Sequence, residues 1–338
     1  MNKKAKKALI ITGTVLGSIV AVFLLLYLIL AIIGWAAYGE ARELREYVCV
    51  IPETNSGFAP QGITYGADGD VYILTGYDSD DTTLLYIVKG ESYRKVKLVD
   101  KDGNTVKGHA GGVTCTKNNV YVANGSLLLM FELDKLLAAG DSPVEVSRIF
   151  PVDNTAAYCY SDDKYLYVGE FYRSGNYETD PSHHFTTPNG ENNKAIVSCY
   201  ELDENGLLAP EGVQPYPMYC VSITGLVQGF AAKNGTFVMS RSYGLKNSSL
   251  DYHSAPKDSG STITVKFAHN ADAPTKAVPL YFLDNSTMFR SLTLPAFSED
   301  VTIVNDKVIV TNEASANKYI VGKFFGAHKV YAYPLFTA

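Results

Sequence analysis

Apolar and polar positions recur along this chain as a unit that comes round five times: a Gly-containing start, an apolar strand, a tight polar turn, and a second strand rich in Tyr and Val. The copies run from Gln61-Gly62-Ile63 to Val71-Tyr72-Ile73, from Gly112-Val113-Thr114 to Val120-Tyr121-Val122, from Ala157-Tyr158-Cys159 to Leu166-Tyr167-Val168, from Gly229-Phe230-Ala231 to Phe237-Val238-Met239, and from Asp300-Val301-Thr302 to Val308-Ile309-Val310. The turns between them are built from Asp68-Gly69-Asp70, Lys117-Asn118-Asn119, Asp162-Asp163-Lys164, Asn234-Gly235 and Asn305-Asp306, the residue types of tight hairpins. Units of this size cannot bury their own faces and must stack on one another.

Third strands are predicted at residues 84–88, 128–133, 195–202, 262–267 and 329–334, and fourth strands at 94–99, 144–150, 218–223 and 289–294. The last copy has no fourth strand of its own, whereas residues 47–51 (Tyr-Val-Cys-Val-Ile) form an orphan strand ahead of the first copy. An N-terminal strand that completes the last blade is how β-propellers fasten their ring. The expected fold is therefore all-β, a five-bladed β-propeller over residues 47–338, with a six-bladed count or a β-sandwich with long loops as alternatives. Pro60-Gln61-Gly62-Ile63 resembles the blade start of gluconolactonase-like and strictosidine-synthase-like propellers, and the Trp-Asp type of repeat is absent from the sequence.

The first 38 residues follow another rule. Lys3, Lys4, Lys6 and Lys7 precede an uncharged run over residues 8–38, which as a helix is long enough to span a hydrocarbon core of roughly 30 Å with some tilt. A cleaved signal peptide is the competing reading, but its apolar core is normally about 7–15 residues. Lysines flanking a first membrane helix stay on the cytoplasmic side. The expectation is a cytoplasmic basic tail (1–7), a single-pass anchor (8–38) in the cell membrane with Trp35 and Tyr38 at its outer interface, a short helical stalk (39–46) and an extracellular domain (47–338).

Composition refines the partner class. With the four N-terminal lysines set aside, 25 basic side chains face 35 acidic ones, a net charge of −10. That disfavours nucleic acid and an anionic lipid surface, which both need a basic footprint, and suits cations or neutral polar ligands. The five cysteines (Cys49, Cys115, Cys159, Cys199, Cys220) lack zinc spacing. Cys199 and Cys220, on consecutive predicted strands, are the one pair worth naming as a disulfide, against buried free thiols for all five.

Aligned copies place polar residues in rings at one channel mouth. Three residues beyond Tyr72, Tyr121, Tyr167, Val238 and Ile309 stand Thr75, Asn124, Glu170, Arg241 and Asn312; two further on stand Tyr77, Ser126, Tyr172, Tyr243 and Ala314. First-strand starts add Gln61, Gly111, Ala156, Gln228 and Glu299, with His109, Asp300 and Glu313 nearby. One reading is that strands merely turn polar as they leave the sheet. The other is a carboxylate cluster of Glu170, Glu299, Asp300 and Glu313 facing Arg241, His109, Gln61 and Gln228, with Tyr77, Tyr172 and Tyr243 as aromatic walls. Crowded carboxylates raise one another's pKa, which suits acid–base work or cation binding, and amides with Tyr rings suit a sugar or peptide.

Insertions at 172–193, 244–261 and 314–328 are expected to rise around the same mouth. His183 and His184, adjacent in an extended segment, point apart and do not read as a metal pair. Asp78-Ser79-Asp80-Asp81 hints at calcium, but no Gly holds the sixth position of an EF-hand loop and Lys89 holds the twelfth. No nucleophile elbow, phosphate loop or His-Glu-x-x-His is present in the sequence. Five-bladed glycosidases carry acids on their early blades, where this chain has Gln61 and His109. Two function classes remain: a binding module for an extracellular sugar, peptide or wall component, and a hydrolase, metal-assisted in the manner of lactonase propellers, using the mouth carboxylates with Arg241 or His109 stabilising an oxyanion.

Overall fold

The computed structural model describes residues 2–162, 164–319, 322–324 and 328–338. Asp163 and the side chains of Trp35 and Asp68, which enter the expectations above, lie outside the described residues, as do parts of the 314–328 insertion.

The uncharged N-terminal run forms one helix, α1 (Lys3–Ala37), whose Leu, Ile, Val and Phe side chains are exposed on every side. A helix apolar all round requires an apolar surrounding, and the stretch Lys3–Ile33 is long and apolar enough to cross a membrane. After Tyr38 a second helix, α2 (Gly39–Leu44), lies against the domain. Its Ala41 is 2% exposed, Glu40 pairs with Arg290, and the Tyr38 hydroxyl donates to Asn247 Oδ1 at 2.9 Å. The segment read as a short helical stalk is thus a helix packed against the domain.

The domain is a five-bladed β-propeller. From the axis outward, the first blade holds Ala59–Gly66, Val71–Tyr77, Thr83–Lys89 and Ser92–Val96; the second holds Gly112–Cys115, Asn119–Ala123, Leu127–Glu132 and Arg148–Pro151. The third begins with Tyr158–Ser161, Tyr165–Gly169, Ala195–Glu201 and Tyr219–Ile223; the fourth holds Val227–Lys233, Thr236–Arg241, Ser248–His253 and Met288–Leu294. The fifth holds Ser298–Val304, Lys307–Asn312 and Lys329–Pro334, and β1 (Glu46–Val50) supplies its outer strand, pairing antiparallel with Lys329–Pro334 in the register Glu46 to Ala332 and Val50 to Lys329. Ring closure by the orphan strand is as the repeat count required.

Blade 4 departs from expectation. Its third strand is Ser248–His253, read above as part of a loop insertion, while the segment predicted for that place belongs to Lys257–Val265, which forms a hairpin with Lys276–Phe282. That hairpin adds to blade 3 instead, Lys276–Phe282 running parallel to Tyr219–Ile223, so the third sheet has six strands. The reason is physical: Ser-Ser-Leu-Asp-Tyr-His offers only Leu250 and Tyr252 as apolar positions, and its buried Asp251 is tolerated because Arg241 and Ser291 satisfy it. The predicted fourth strands of blades 1 and 2 are also split, Leu98–Val99 pairing in parallel with Val144–Glu145 and so lacing the two blades together.

The core lies between blades, each interface filled by alternate residues of neighbouring sheets, as with Ile73, Leu85, Val113, Val120 and Phe131 between the first two. Glycine sets how tightly the inner strands converge. A Cβ on Gly62 would lie 2.4 Å from Thr75 Oγ1 and 2.7 Å from the Val113 nitrogen, and one on Gly229 would lie 2.6 Å from the Asp300 Cα. These starts are Gly because the backbone of the next blade occupies the space a side chain would need.

Candidate functional site at the channel mouth

A cavity of about 560 Å³ opens at the end of the channel where first strands start and second strands finish. Its lining includes Gln61, Tyr77, His109, Gln228, Tyr243, Glu299 and Glu313 from the sequence-derived set, together with Asn124, Phe171, Tyr177, Glu178, Phe297 and Tyr319. Glu170, Arg241, Asp300 and Tyr172 do not line it.

Blade 5 supplies the charge. Glu299 precedes the axial residue of the inner strand and Glu313 follows the second strand, so the two carboxyls meet across one blade, 2% and 7% exposed, and hydrogen-bond to each other. Gln61 Nε2 donates to Glu313 Oε2 at 2.8 Å and Gln228 Nε2 donates to Glu299 Oε1 at 3.3 Å, so each neighbouring blade start holds one carboxyl. Burial, then the charge of Glu313 and the bond to it, push Glu299 well above the usual carboxylate range. Burial also raises Glu313, while Lys318, 3.8 Å away, and a hydrogen bond from Tyr319 pull it back down. Two carboxyls so placed hold one proton between them, one an acid and the other a base.

The walls are aromatic. Tyr77 and His109 stack at 4.2 Å with 11° between planes, and the Lys318 ammonium lies 4.3 Å from the Tyr77 ring centre and bonds its hydroxyl. Burial and the Lys318 charge lower the His109 pKa, against the pull of Asp81 3.7 Å away, so this ring is neutral near pH 7. Across the opening Phe171 stacks on Tyr243 at 6.2 Å, and Phe297 packs on Tyr319 at 4.6 Å. Carboxyls and amides on the floor with flat rings on the sides make a surface that bonds hydroxyl groups and stacks against apolar ring faces.

The residues outside the cavity explain themselves by their partners. Glu170 accepts from the Ile196 nitrogen at 3.1 Å and pairs with His183 Nδ1 at 3.0 Å, both side chains buried. Burial opposes a charge on His183, but the bond to Glu170 and its charge outweigh it and raise the imidazole pKa. Arg241 reaches sideways along its sheet to Asp251 at 3.0 Å and leaves the mouth carboxyls to Lys318. Tyr172 packs edge-on to His184 at 5.6 Å in the wall of the insertion. His183 and His184 do face different partners, His184 Nε2 meeting Thr179 Oγ1 at 3.0 Å.

Asp300 is fully buried on the axis, where the other inner strands carry Gly62, Gly112, Tyr158 and Gly229. Its Oδ2 accepts from the Ile63 nitrogen at 3.2 Å and, at 3.5 Å, from that of Val113, tying three blades together, while Oδ1 has no hydrogen-bond partner. Burial holds this carboxyl well above its ordinary pKa, against the backbone donors. It is the plug beneath the site.

The predicted polar ring is mostly scaffolding: Thr75 donates to the Ala110 carbonyl, Asn124 to that of Lys107 and Asn312 to that of Ala296. Sequence reasoning missed Phe171, which stands between the aligned positions Glu170 and Tyr172, and Tyr177 and Phe297, which lie in connections between strands. Asp78 Oδ1 caps its own turn through the Asp80 and Thr82 nitrogens. Among the described residues no three His, Cys, Asp or Glu side chains gather as metal ligands, and the five cysteines are free. Cys199 lies opposite Tyr219 and Cys220 opposite Ser198, so alternation sends the two thiols to different faces.

No protein-family model matches the chain, and no curated protein matches it. Among solved structures it is similar to the GH43_1 enzyme from Xanthomonas citri (11% identity over 90% of this chain and 94% of that one, TM-score 0.41), to a glucose dehydrogenase (9%, 87% and 99%, 0.40) and to the WD40 β-propeller domain of Doa1 (10%, 87% and 98%, 0.36).

Proposed function

We propose that this protein is a membrane-anchored, extracytoplasmic propeller whose mouth cavity binds a neutral polyhydroxyl ligand, with Glu299 and Glu313 as the principal hydrogen-bonding pair. The observation that carries this reading is the pair itself: two buried carboxyls hydrogen-bonded to each other, each steadied by a Gln amide, at the floor of a cavity walled by Tyr, His and Phe. A half-protonated pair both donates and accepts, as vicinal hydroxyls do, and flat rings stack on the C–H faces of a sugar or cyclitol. α1 supports the anchor, and the lysines ahead of it support the outward orientation of the domain.

A thermal-shift screen of methyl glycosides, cyclitols, lactones and short peptides, with and without calcium chloride, tests the binding reading. A polyhydroxyl compound is expected to raise the melting temperature of the native chain and to leave that of Glu313→Gln unmoved. Stabilisation by peptides alone, or equal stabilisation of both chains, overturns it.

The same pair favours a second reading as a hydrolase. One carboxyl in its acid form protonates a leaving oxygen while the other, as base, takes a proton from the attacking water. Turnover of nitrophenyl glycosides or lactones with two limbs in its pH profile, lost in Glu299→Gln and in Glu313→Gln, would select it over simple binding.

A further inference from the structure

The anchor helix and the cavity share one face of the propeller. Tyr38, the residue after α1, bonds Asn247, which precedes the third strand of blade 4 at its mouth end, and its hydroxyl also meets the backbone of Ala296, in the connection that enters blade 5 from the mouth. α1 itself passes beside the turn Gly322–Phe324, in the insertion that leaves the second strand of blade 5 and carries Lys318 and Tyr319 to the cavity. From there α2 runs down the groove between blades 4 and 5, with Arg45 over the Tyr331 ring at 4.6 Å and Glu46 paired to Lys307 at the opposite end of the blade, and β1 returns upward. The chain therefore leaves the domain at the mouth.

The distance is short. Tyr38, bonded to Asn247, lies five positions beyond Ile33, the last residue of the apolar stretch, about 8 Å of helix. That matches the headgroup layer of one leaflet, roughly 5–8 Å beyond each side of the hydrocarbon, and leaves little space between the mouth and the bilayer surface. The rim beside Tyr38 is built for such a place: Leu245 is 58% exposed at the loop tip, followed by exposed Lys246, an apolar residue with a cation at its side. The acidic balance of the whole domain hides this local pattern.

We propose that the mouth faces the bilayer that holds α1, so that the ligand of the cavity is a polyhydroxyl headgroup carried by a lipid of that leaflet. The ligand clause rests on the binding reading above; the orientation rests on the chain path alone. A lipid-borne headgroup reaches the cavity by lateral diffusion and is already held at the height of the opening, which raises its effective concentration over that of a free solute.

The chain has a single Trp, Trp35, in its anchor. In a Trp35→Phe background, Leu245→Trp reports the mouth rim and Asn118→Trp the opposite end, both at exposed positions. The full chain is placed in nanodiscs of phosphatidylcholine brominated on its acyl chains. Leu245→Trp is expected to lose much of its emission and Asn118→Trp to keep it. In a second arm, hydrogen exchange at Gly108–Gly111 is followed in nanodiscs doped with glucosyl diacylglycerol and, separately, in plain nanodiscs with the same amount of methyl glucoside. Protection by the glycolipid, weaker protection by the free glucoside, and loss of both in Glu313→Gln are expected. If Leu245→Trp stays unquenched, the orientation is overturned, and protection by methyl glucoside would then leave the cavity reading standing. If Leu245→Trp is quenched and neither compound protects, the polyhydroxyl ligand is overturned here and in the reading it rests on. Equal protection by both forms overturns the lipid source alone.

Discussion

Blades 3 and 5 carry acids at related strand ends and use them in opposite ways. Glu170 in blade 3 is enclosed by the 172–193 insertion, which brings His183 over it, so its charge is neutralised inside the wall. Glu299 and Glu313 in blade 5 have each other, two amides and an open cavity. The difference is made by the insertions. One loop folds back as a lid on its own strand end; the other stands aside and lends the site Lys318 and Tyr319. Equivalent repeat positions therefore do not imply equivalent roles, because what covers a strand end is decided outside the repeat.

The largest expected effect comes from removing the blade 3 partner. His183→Ala leaves a buried carboxylate without its cation, a change that costs about 3–5 kcal/mol in other buried pairs. Urea unfolding at neutral pH should show it, with ligand binding intact once the folded population is allowed for. A loss of binding out of proportion to stability would place Glu170 in the site after all.

In blade 5 the expectation inverts. Glu313→Gln should weaken binding about tenfold or more, as loss of a charge-assisted hydrogen bond does, with the unfolding midpoint unchanged or higher. Titration calorimetry with the compound selected by thermal shift decides it, and an unchanged affinity would reduce the carboxyl pair to packing.

A pH series separates the two blades by sign. Glu299 and Asp300 have folded pKa values above their ordinary 4.5 and 3.8, so the folded state binds their protons more tightly than the unfolded chain does. Their contribution is complete below those ordinary values and is lost as pH rises toward the folded ones. His183, also raised, contributes below its ordinary 6.5 and loses that contribution as pH rises through its folded value. Stability should fall between about pH 4 and pH 8; Glu299→Gln and Asp300→Asn should flatten the lower part of the fall and His183→Ala the upper part. Guanidinium midpoints across that range check it, and a slope unchanged in all three variants would mean these groups titrate normally.

The smallest expected effect on binding is that of Arg241→Met. Its partner is Asp251, so stability should drop by about 1–3 kcal/mol for the buried acceptor left with Ser291 alone, while affinity at the mouth stays within error. A pKa change in the carboxyl pair on this substitution would restore Arg241 to the site. Lys318→Met is the matched variant, expected to raise the apparent pKa of that pair.

Periodicity determined the blade number, the ring closure by β1 and the long apolar N-terminal helix, because hairpin strands and an apolar helix are written in neighbouring residues: alternation, turn types and an uncharged run. It also brought Gln61, Gln228, Glu299 and Glu313 to one mouth, since strand starts align wherever inner strands converge. Tertiary structure decided the rest. That Ser248–His253 and not 262–267 completes blade 4, that Arg241 is drawn to Asp251, that Glu170 is covered by His183, and that Asp300 fills an axial place glycine holds in three other blades all depend on pairings between distant segments. A local pattern sets which face of a strand is buried; which neighbour covers that face is settled only when the whole ring packs, and a charge buried there takes whatever partner the packing brings within reach.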